Sequence, residues 1–176
     1  MTCDNLPMPA PIEDYALLSD CRTAALVSRD GSIDWLCLPR FDAPSIFGAL
    51  LGDPTHGCWT LRPTDPTATM QRQYMPDTFI LVTRWESADG VAEVQEFMPM
   101  SDKRTDVVRR IVGLEGTVHF TTELRMRFDY ARAVPWVRQT GTSHAPALRA
   151  TAGPDAVVVR GSRSLQPIMR TPGASW

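Results

Sequence analysis

The sequence predicts an all-β fold, an antiparallel β-sandwich with one short helix. Short apolar segments recur along the chain, turn signals such as Asp-Gly separate them, and the fifteen prolines disfavour long helices. The sequence lacks the alternation of strands with long helices that a parallel sheet requires. With 176 residues, the chain is long enough to form one domain with a substantial core.

Three pairs of segments predict β-hairpins. The first joins TAALVS to SIDWLCL (residues 23–38) through an Asp-Gly pair, which is a strong turn signal between apolar runs. The second and clearest covers residues 79–97 and turns at another Asp-Gly pair. The third covers residues 106–128 and reverses direction at Glu115-Gly116.

One short helix is predicted after the first hairpin. Asp42 or Ser45 can cap its N-terminus, and Gly52 ends it. Its apolar face would consist of four residues, Ile46, Phe47, Leu50 and Leu51. A last strand is predicted at residues 156–160.

The predicted organisation has three parts. Residues 1–10 form a proline-rich flexible arm, residues 11–161 the β-sandwich, and residues 162–176 an irregular tail. The tail has no apolar periodicity, although it directly follows an apparent inner strand. We therefore expect either a disordered tail or a sandwich that is incomplete at its C-terminal end.

Charge and composition exclude several classes of partner. The net charge is −2, and acidic and basic residues are interspersed along the chain, so the sequence indicates no basic patch for nucleic acid or an anionic membrane surface. The N-terminus lacks a signal peptide, and no apolar run is long enough to span a bilayer. We expect a cytoplasmic protein.

The four cysteines predict neither a disulfide nor a metal site. Cys3, Cys21, Cys37 and Cys58 form no Cys-x-x-Cys pair, and no histidine pattern accompanies them. Cys21 and Cys37 lie in apolar runs, which predicts buried thiols. Phosphate-binding glycine motifs are also absent, so we expect no cofactor.

The sequence predicts no catalytic residue. Three histidines occur without a Gly-x-Ser-x-Gly elbow, and each is best explained as a solvated side chain. Glycoside hydrolysis needs two carboxyl groups facing each other, roughly 5–5.5 Å apart in retaining enzymes and 6.5–9.5 Å apart in inverting ones. Glu93 and Glu96 do not qualify, because an odd offset along a strand places them on opposite faces.

The segment SRDGSIDWLCLPRFDAPS (residues 28–45) supplies the candidate binding residues, which are Asp34, Trp35, Arg40 and Asp42. We predict a hairpin followed by a corner, with the polar members fixing the corner. In one interpretation Arg40 neutralises a nearby carboxylate as a structural ion pair. In the other, these residues approach a sugar. The four tryptophans Trp35, Trp59, Trp85 and Trp136 could likewise belong to the core or stack on a pyranose ring.

Several blocks of the sequence closely resemble glycoside hydrolase family 15, the bacterial glucoamylase and trehalase-like group. These blocks are PIEDYALLSDCRTAALVSRDGSIDWLCLPRFDAPSIFGALLGD, QRQYMPDTFILVTRWESADGVAEVQEFMPM, LRMRFDYARAVPWVR and AGPDAVVVR. They occur in the family's order and together cover roughly residues 11–160.

The resemblance implies the N-terminal β-sandwich domain of such an enzyme. In that family a larger (α/α)6 barrel follows and carries both catalytic glutamates, which hydrolyse α-glucosidic bonds with inversion. No family catalytic residue corresponds to a position here, so the expected partner is a catalytic barrel in cis or in trans. The segment GSRSLQPIMRTPGASW departs from the family pattern, as a truncated or frameshifted reading frame would.

Alternatives to a non-catalytic domain stay open at this stage. A stand-alone carbohydrate-binding module would bind α-glucosides, and an interaction subunit would need a separate barrel chain. A truncated gene product would have no activity, and an enzyme active in its own right is the weakest alternative.

Overall fold

The structure is a computed structural model, and it describes residues 10–101 and 103–161. Thirteen β-strands lie in these residues: β1 (Ala16–Ser19), β2 (Ala24–Val27), β3 (Ser32–Cys37), β4 (Ser45–Phe47), β5 (Cys58–Pro63), β6 (Thr69–Tyr74), β7 (Leu81–Ser87), β8 (Gly90–Phe97), β9 (Val108–Gly116), β10 (Phe120–Arg125), β11 (Trp136–Thr142), β12 (Ala145–Ala152) and β13 (Asp155–Arg160). Three short 3-10 turns accompany them, at Ile12–Asp14, Ala49–Leu51 and Pro54–His56.

The chain divides into two compact units, residues 1–133 and 134–176. The first unit contains two antiparallel sheets. One has the strand order β1-β2-β3-β5-β10, with β4 added beside β3, and the other has the order β6-β7-β8-β9. The second unit contains the three-stranded antiparallel sheet β11-β12-β13. This all-β antiparallel architecture confirms the predicted fold class.

The core of the first unit lies between its two sheets. Leu61 of one sheet clusters with Trp85 and Val94 of the other, and Met70 and Phe120 pack against this cluster. Strands β7 and β8 alternate buried and half-buried residues, as strands do when one face covers a core. The contact between the sheets is therefore a sandwich core.

The first two predicted hairpins and the last strand are confirmed. Strand β2 pairs with β3 across the first Asp-Gly turn, and β7 pairs with β8 across the second. Strand β13, at the predicted position of the final strand, pairs with β12.

The third predicted hairpin is wrong. Strand β9 pairs with β8, and β10 pairs with β5 in the other sheet. Glu115 and Gly116 are the last two residues of β9, and Gly116 has a φ of 58°. The short segment 117–119 then carries the chain from one sheet to the other.

The predicted helix is also wrong, and the described residues contain no α-helix. Ser45, Ile46 and Phe47 form strand β4 instead, in which all three are buried and Phe47 lies opposite Leu36 of β3. A 3-10 turn then covers Ala49–Leu51. Burial of an aromatic and a β-branched side chain against the sheet outweighs the local helix signals.

One smaller expectation changes in the structure. Cys21 is exposed, with a φ of 69°, rather than buried, whereas Cys37 is buried as predicted. None of the helical segments among the described residues has the length and apolar character to cross a bilayer. The predicted tail, and the predicted arm up to residue 9, lie outside the described residues.

Candidate functional site

The β2–β3 turn is the first part of the candidate segment, and it requires glycine. Gly31 has a φ of 80°, and a Cβ atom there would lie 2.3 Å from the carbonyl oxygen of Leu61. The Gly31 carbonyl in turn accepts the backbone N–H of Leu61 at 2.9 Å. The turn therefore sits directly against β5, where no side chain fits.

Asp34 lies inside the fold, on β3. It is only 8% exposed. Its carboxylate accepts hydrogen bonds from the hydroxyl of Tyr15, at 2.7 Å, and from that of Ser32. Burial raises the pKa of Asp34 above its usual range, and the two hydroxyl donors offset this only in part. Burial beside this carboxylate likewise raises the pKa of Tyr15.

The raised pKa of Asp34 predicts a pH-dependent stability. Because the folded state holds the Asp34 proton more tightly than the unfolded chain, this contribution is complete below about pH 4 and is lost as pH rises through the folded pKa. Asp34→Asn cannot ionise, so its melting temperature should rise relative to that of the unsubstituted protein as pH increases above about 4, the usual pKa of an aspartate. Thermal melts followed by circular dichroism at several pH values measure this gain. A difference that is constant with pH would contradict the raised pKa.

A buried ion pair lies next to the turn. Arg109 of β9 and Glu96 of β8 lie opposite each other, with 2.8 Å between a guanidinium nitrogen and a carboxylate oxygen and side chains 1% and 2% exposed. Arg109 also donates to the carbonyls of Trp59, at 2.6 Å, and Gly31, at 2.7 Å. Its guanidinium carbon lies 5.1 Å from the centroid of the Trp59 ring. Arg109 thus connects the two sheets of the sandwich.

A second arginine, Arg62, lies near the buried ion pair and extends it to a polar cluster with Asp30. Arg62 of β5 donates to Asp30, at 3.0 Å, in the β2–β3 turn. Its other terminal nitrogen is buried and has no hydrogen-bond partner among the described residues.

Burial lowers the pKa of Arg109, and the nearby carboxylate of Glu96 opposes that shift. Each arginine is thus paired with a carboxylate, Arg109 with Glu96 inside the sandwich and Arg62 with the partly exposed Asp30.

Trp35 points to a different place from Asp34, its neighbour in sequence. Trp35 is half-buried, and its ring centroid lies 6.3 Å from that of Tyr130 at an interplanar angle of 40°. Tyr130 is 46% exposed. The two rings form an aromatic pair at the surface.

The backbone that presents Tyr130 is unusual. Asp129, Tyr130 and Ala131 have consecutive positive φ values of 50°, 54° and 69°. Each costs a non-glycine residue about 1–2 kcal/mol. The turn is closed by two backbone hydrogen bonds between Phe128 and Ala133, of 2.9 and 3.0 Å. Such strain persists only where the surrounding structure holds it, and it concentrates at functional sites.

Arg40 and Asp42 form an exposed ion pair with each other. The Arg40 guanidinium donates to both oxygens of Asp42, at 3.0 and 3.2 Å. The side chains are 64% and 72% exposed. This is the structural ion pair that the first interpretation of Arg40 anticipated. No hydrogen bond or ion pair joins the pair to Asp34 among the described residues.

Three carboxylates are buried among the described residues, those of Asp20, Asp34 and Glu96. Of the buried ones, Glu96 pairs with Arg109, Asp34 accepts two hydroxyl groups, and Asp20 accepts the backbone N–H groups of Arg22 and Thr23. No group of three or more metal-ligating side chains occurs in residues 10–101 and 103–161. A cavity of about 290 Å³ in the second unit is lined by Gln139–Ser143, Pro146 and Ala147, with no acidic side chain.

Sequence reasoning missed the Arg109–Glu96 pair, although one signal was available. Ala92 and Val94 precede Glu96 at alternate positions of β8, so Glu96 falls on the apolar face of that strand. A carboxylate at such a position needs a buried partner. Nothing local shows that Arg109, rather than its neighbour Arg110, faces inward.

Comparison with known proteins gives a consistent result. Residues 7–176 match the family model described as trehalase-like, N-terminal. Over 170 residues the chain is 34% identical to a trehalase of Mycolicibacterium smegmatis and 33% identical to a trehalase of Mycobacterium tuberculosis. These alignments cover 85% of the chain. A trehalase 1 of Sulfolobus acidocaldarius is 38% identical over 117 residues, or 66% of the chain.

The chain spans about 25% of the length of the two mycobacterial relatives and 20% of the Sulfolobus one. No solved structure matches the chain significantly. The match covers nearly the whole sequence and both sheets of the sandwich, so the chain belongs to the family of trehalase-like N-terminal domains.

Proposed function

We propose that the chain is the non-catalytic β-sandwich part of a glycoside hydrolase family 15 enzyme of the trehalase and glucoamylase-like group. The match of residues 7–176 to the trehalase-like N-terminal family carries this proposal. The relatives are called trehalases, and the chain corresponds to about a quarter of their length. A catalytic (α/α)6 barrel, in the same polypeptide or in a separate one, completes the enzyme.

The chemistry of the described residues supports a non-catalytic role. Inverting hydrolysis of an α-glucosidic bond needs a carboxylic acid and a carboxylate roughly 6.5–9.5 Å apart, with a water between them. Here the three buried acids already have partners. Glu96 is bonded to Arg109, Asp34 to two hydroxyl groups and Asp20 to two backbone N–H groups. The catalytic pair therefore comes from the barrel.

The candidate residues divide between two roles in this proposal. Asp34 belongs to the fold, because it is buried and bonded on both oxygens. Trp35, Arg40 and Asp42 lie at or near the surface and are available to a sugar held by the barrel. The compensated charges around Arg109 would hold this surface in place. We also propose a cytoplasmic location, which the free thiols of Cys21 and Cys37 support.

A carbohydrate-binding module is the second candidate function, and the Trp35–Tyr130 pair favours it. Aromatic rings at a surface can stack on the apolar face of a pyranose. In a module the chain alone would bind α-glucosides, whereas in our proposal binding also needs groups of the barrel.

Titration calorimetry with trehalose and maltose separates the two functions. We expect no measurable heat of binding for the purified chain at sugar concentrations up to about 10 mM, a limit that detects dissociation constants in the millimolar range. Binding that Trp35→Ala and Tyr130→Ala abolish, and that Phe79→Ala leaves unchanged, would instead establish a module. Phe79 is a suitable control because it is an exposed aromatic residue, 53% accessible, in the loop before β7.

A further inference from the structure

One face of the three-stranded sheet exposes a tryptophan and three arginines. Strand alternation and the pairing register place Trp136 and Arg138 of β11, Arg149 of β12 and Arg160 of β13 on the same face. All four side chains are exposed, and Trp136 is 77% accessible. We call these four residues the arginine face. The opposite face carries the buried Leu148 and Ala150.

The charges on the arginine face are not compensated within the described chain. Arg138 lies directly opposite Arg149, and like charges in such cross-strand pairs are destabilising. Arg160 of β13 lies diagonally across from Arg149 of the neighbouring strand β12. Among the described residues, none of the three forms an ion pair. Many other arginines do pair with carboxylates, among them Arg29, Arg40, Arg62, Arg84, Arg104 and Arg109.

The apolar part of the face is equally anomalous. Trp85 is 7% exposed in the sandwich core, whereas Trp136 leaves most of its indole in solvent. Val158, which lies opposite Arg149 on the same face, is 50% exposed. Tryptophan and arginine are the residue types that dominate binding energy at protein interfaces. The combination is that of an interface without its partner.

We propose that the arginine face docks an acidic surface of another polypeptide. Carboxylates of the partner pair with Arg138, Arg149 and Arg160, and an apolar pocket of the partner receives the indole of Trp136. The planar guanidinium group suits this role, because it can bind a carboxylate through two parallel hydrogen bonds. Docking also removes the repulsion between Arg138 and Arg149.

An acidic protein suits this face better than nucleic acid does. Nucleic-acid sites extend as basic stripes, whereas the arginines of this face are one cross-strand pair and its diagonal neighbour. The positive charge of the face is confined to three strands, which matches a compact carboxylate cluster. The proposal concerns the second unit alone and does not depend on the trehalase-like function.

Fluorescence anisotropy with a labelled decaglutamate peptide tests the proposal on the purified chain at low salt. We expect binding that weakens as salt rises, and that weakens about tenfold or more in the double variant Arg138→Gln, Arg149→Gln. The matched controls Arg84→Gln and Arg104→Gln replace arginines that already pair with Glu86 and Asp106, so they should leave the affinity unchanged.

Four results would overturn the proposal. They are a lack of decaglutamate binding, equal affinities of the double variant and the controls, and tighter binding of a decauridine RNA than of decaglutamate. The fourth is a dimer of the unsubstituted chain that is monomeric in the double variant. Thermal melts show separately whether the double variant is folded. We expect it to melt at or above the temperature of the unsubstituted chain. A lower melting temperature would contradict the inferred repulsion between Arg138 and Arg149.

Discussion

Arg109→Met should unfold at a much lower urea concentration than the unsubstituted chain. The substitution keeps most of the side-chain volume but leaves the carboxylate of Glu96 buried without its counter-ion. It also removes the donors to the carbonyls of Trp59 and Gly31. Breaking a buried ion pair from one side costs about 3–5 kcal/mol of unfolding free energy. Urea denaturation followed by circular dichroism measures the loss.

Two further variants show whether that loss arises from the buried charge. Arg84→Met removes an exposed ion pair with Glu86, whose side chains are 41% and 50% accessible, and should cost at most about 1 kcal/mol. The double variant Arg109→Met, Glu96→Leu removes both buried charges and should recover a large part of the loss. If Arg109→Met were no more costly than Arg84→Met, the pair would not connect the two sheets in the way described.

Gly31→Ala should be the second strongly destabilising substitution. An alanine there must adopt a φ near 80° and place its Cβ 2.3 Å from the Leu61 carbonyl oxygen. The backbone conformation alone costs about 1–2 kcal/mol, and displacing the carbonyl of a paired strand adds to it. We expect a loss above that range in the free energy of unfolding, measured by urea denaturation.

Gly113→Ala is the matched control for this substitution. Gly113 lies in β9, where an added Cβ atom would meet no other atom within 4 Å, and its φ is not in the left-handed region. Because glycine weakens a strand, alanine there should be neutral or should stabilise by up to about 0.5–1 kcal/mol. Equal losses at both positions would show that the close approach of the β2–β3 turn to β5 is not what requires glycine.

The parts of the fold that the sequence predicted correctly are those that local signals determine. Period-2 alternation and an Asp-Gly pair specify the β2–β3 and β7–β8 hairpins, because both the strands and the turn lie within a short segment. The prediction of the third hairpin was wrong. A glycine with a positive φ at the end of β9 does not determine which sheet receives the next strand, and β10 pairs with β5.

Local signals also supplied the candidate residues, but they do not determine where each side chain lies. A single segment, residues 28–45, contains Asp34, Trp35, Arg40 and Asp42, but alternation and the corner send these side chains to different environments. The contact of Trp35 with Tyr130 joins residues 95 positions apart in the sequence, and no local pattern predicts it. The Arg109–Glu96 pair and the arginine face lie on neighbouring strands, and finding them required the pairing register.

Release of glucose from trehalose by the purified chain is the most direct test of the central claim, that this chain is the non-catalytic sandwich of a trehalase-like enzyme. A coupled glucose assay should detect no hydrolysis above that of a sample without protein, whatever the protein concentration. Glucose formation in proportion to protein concentration would contradict the claim, provided that heat-denatured chain from the same preparation is inactive.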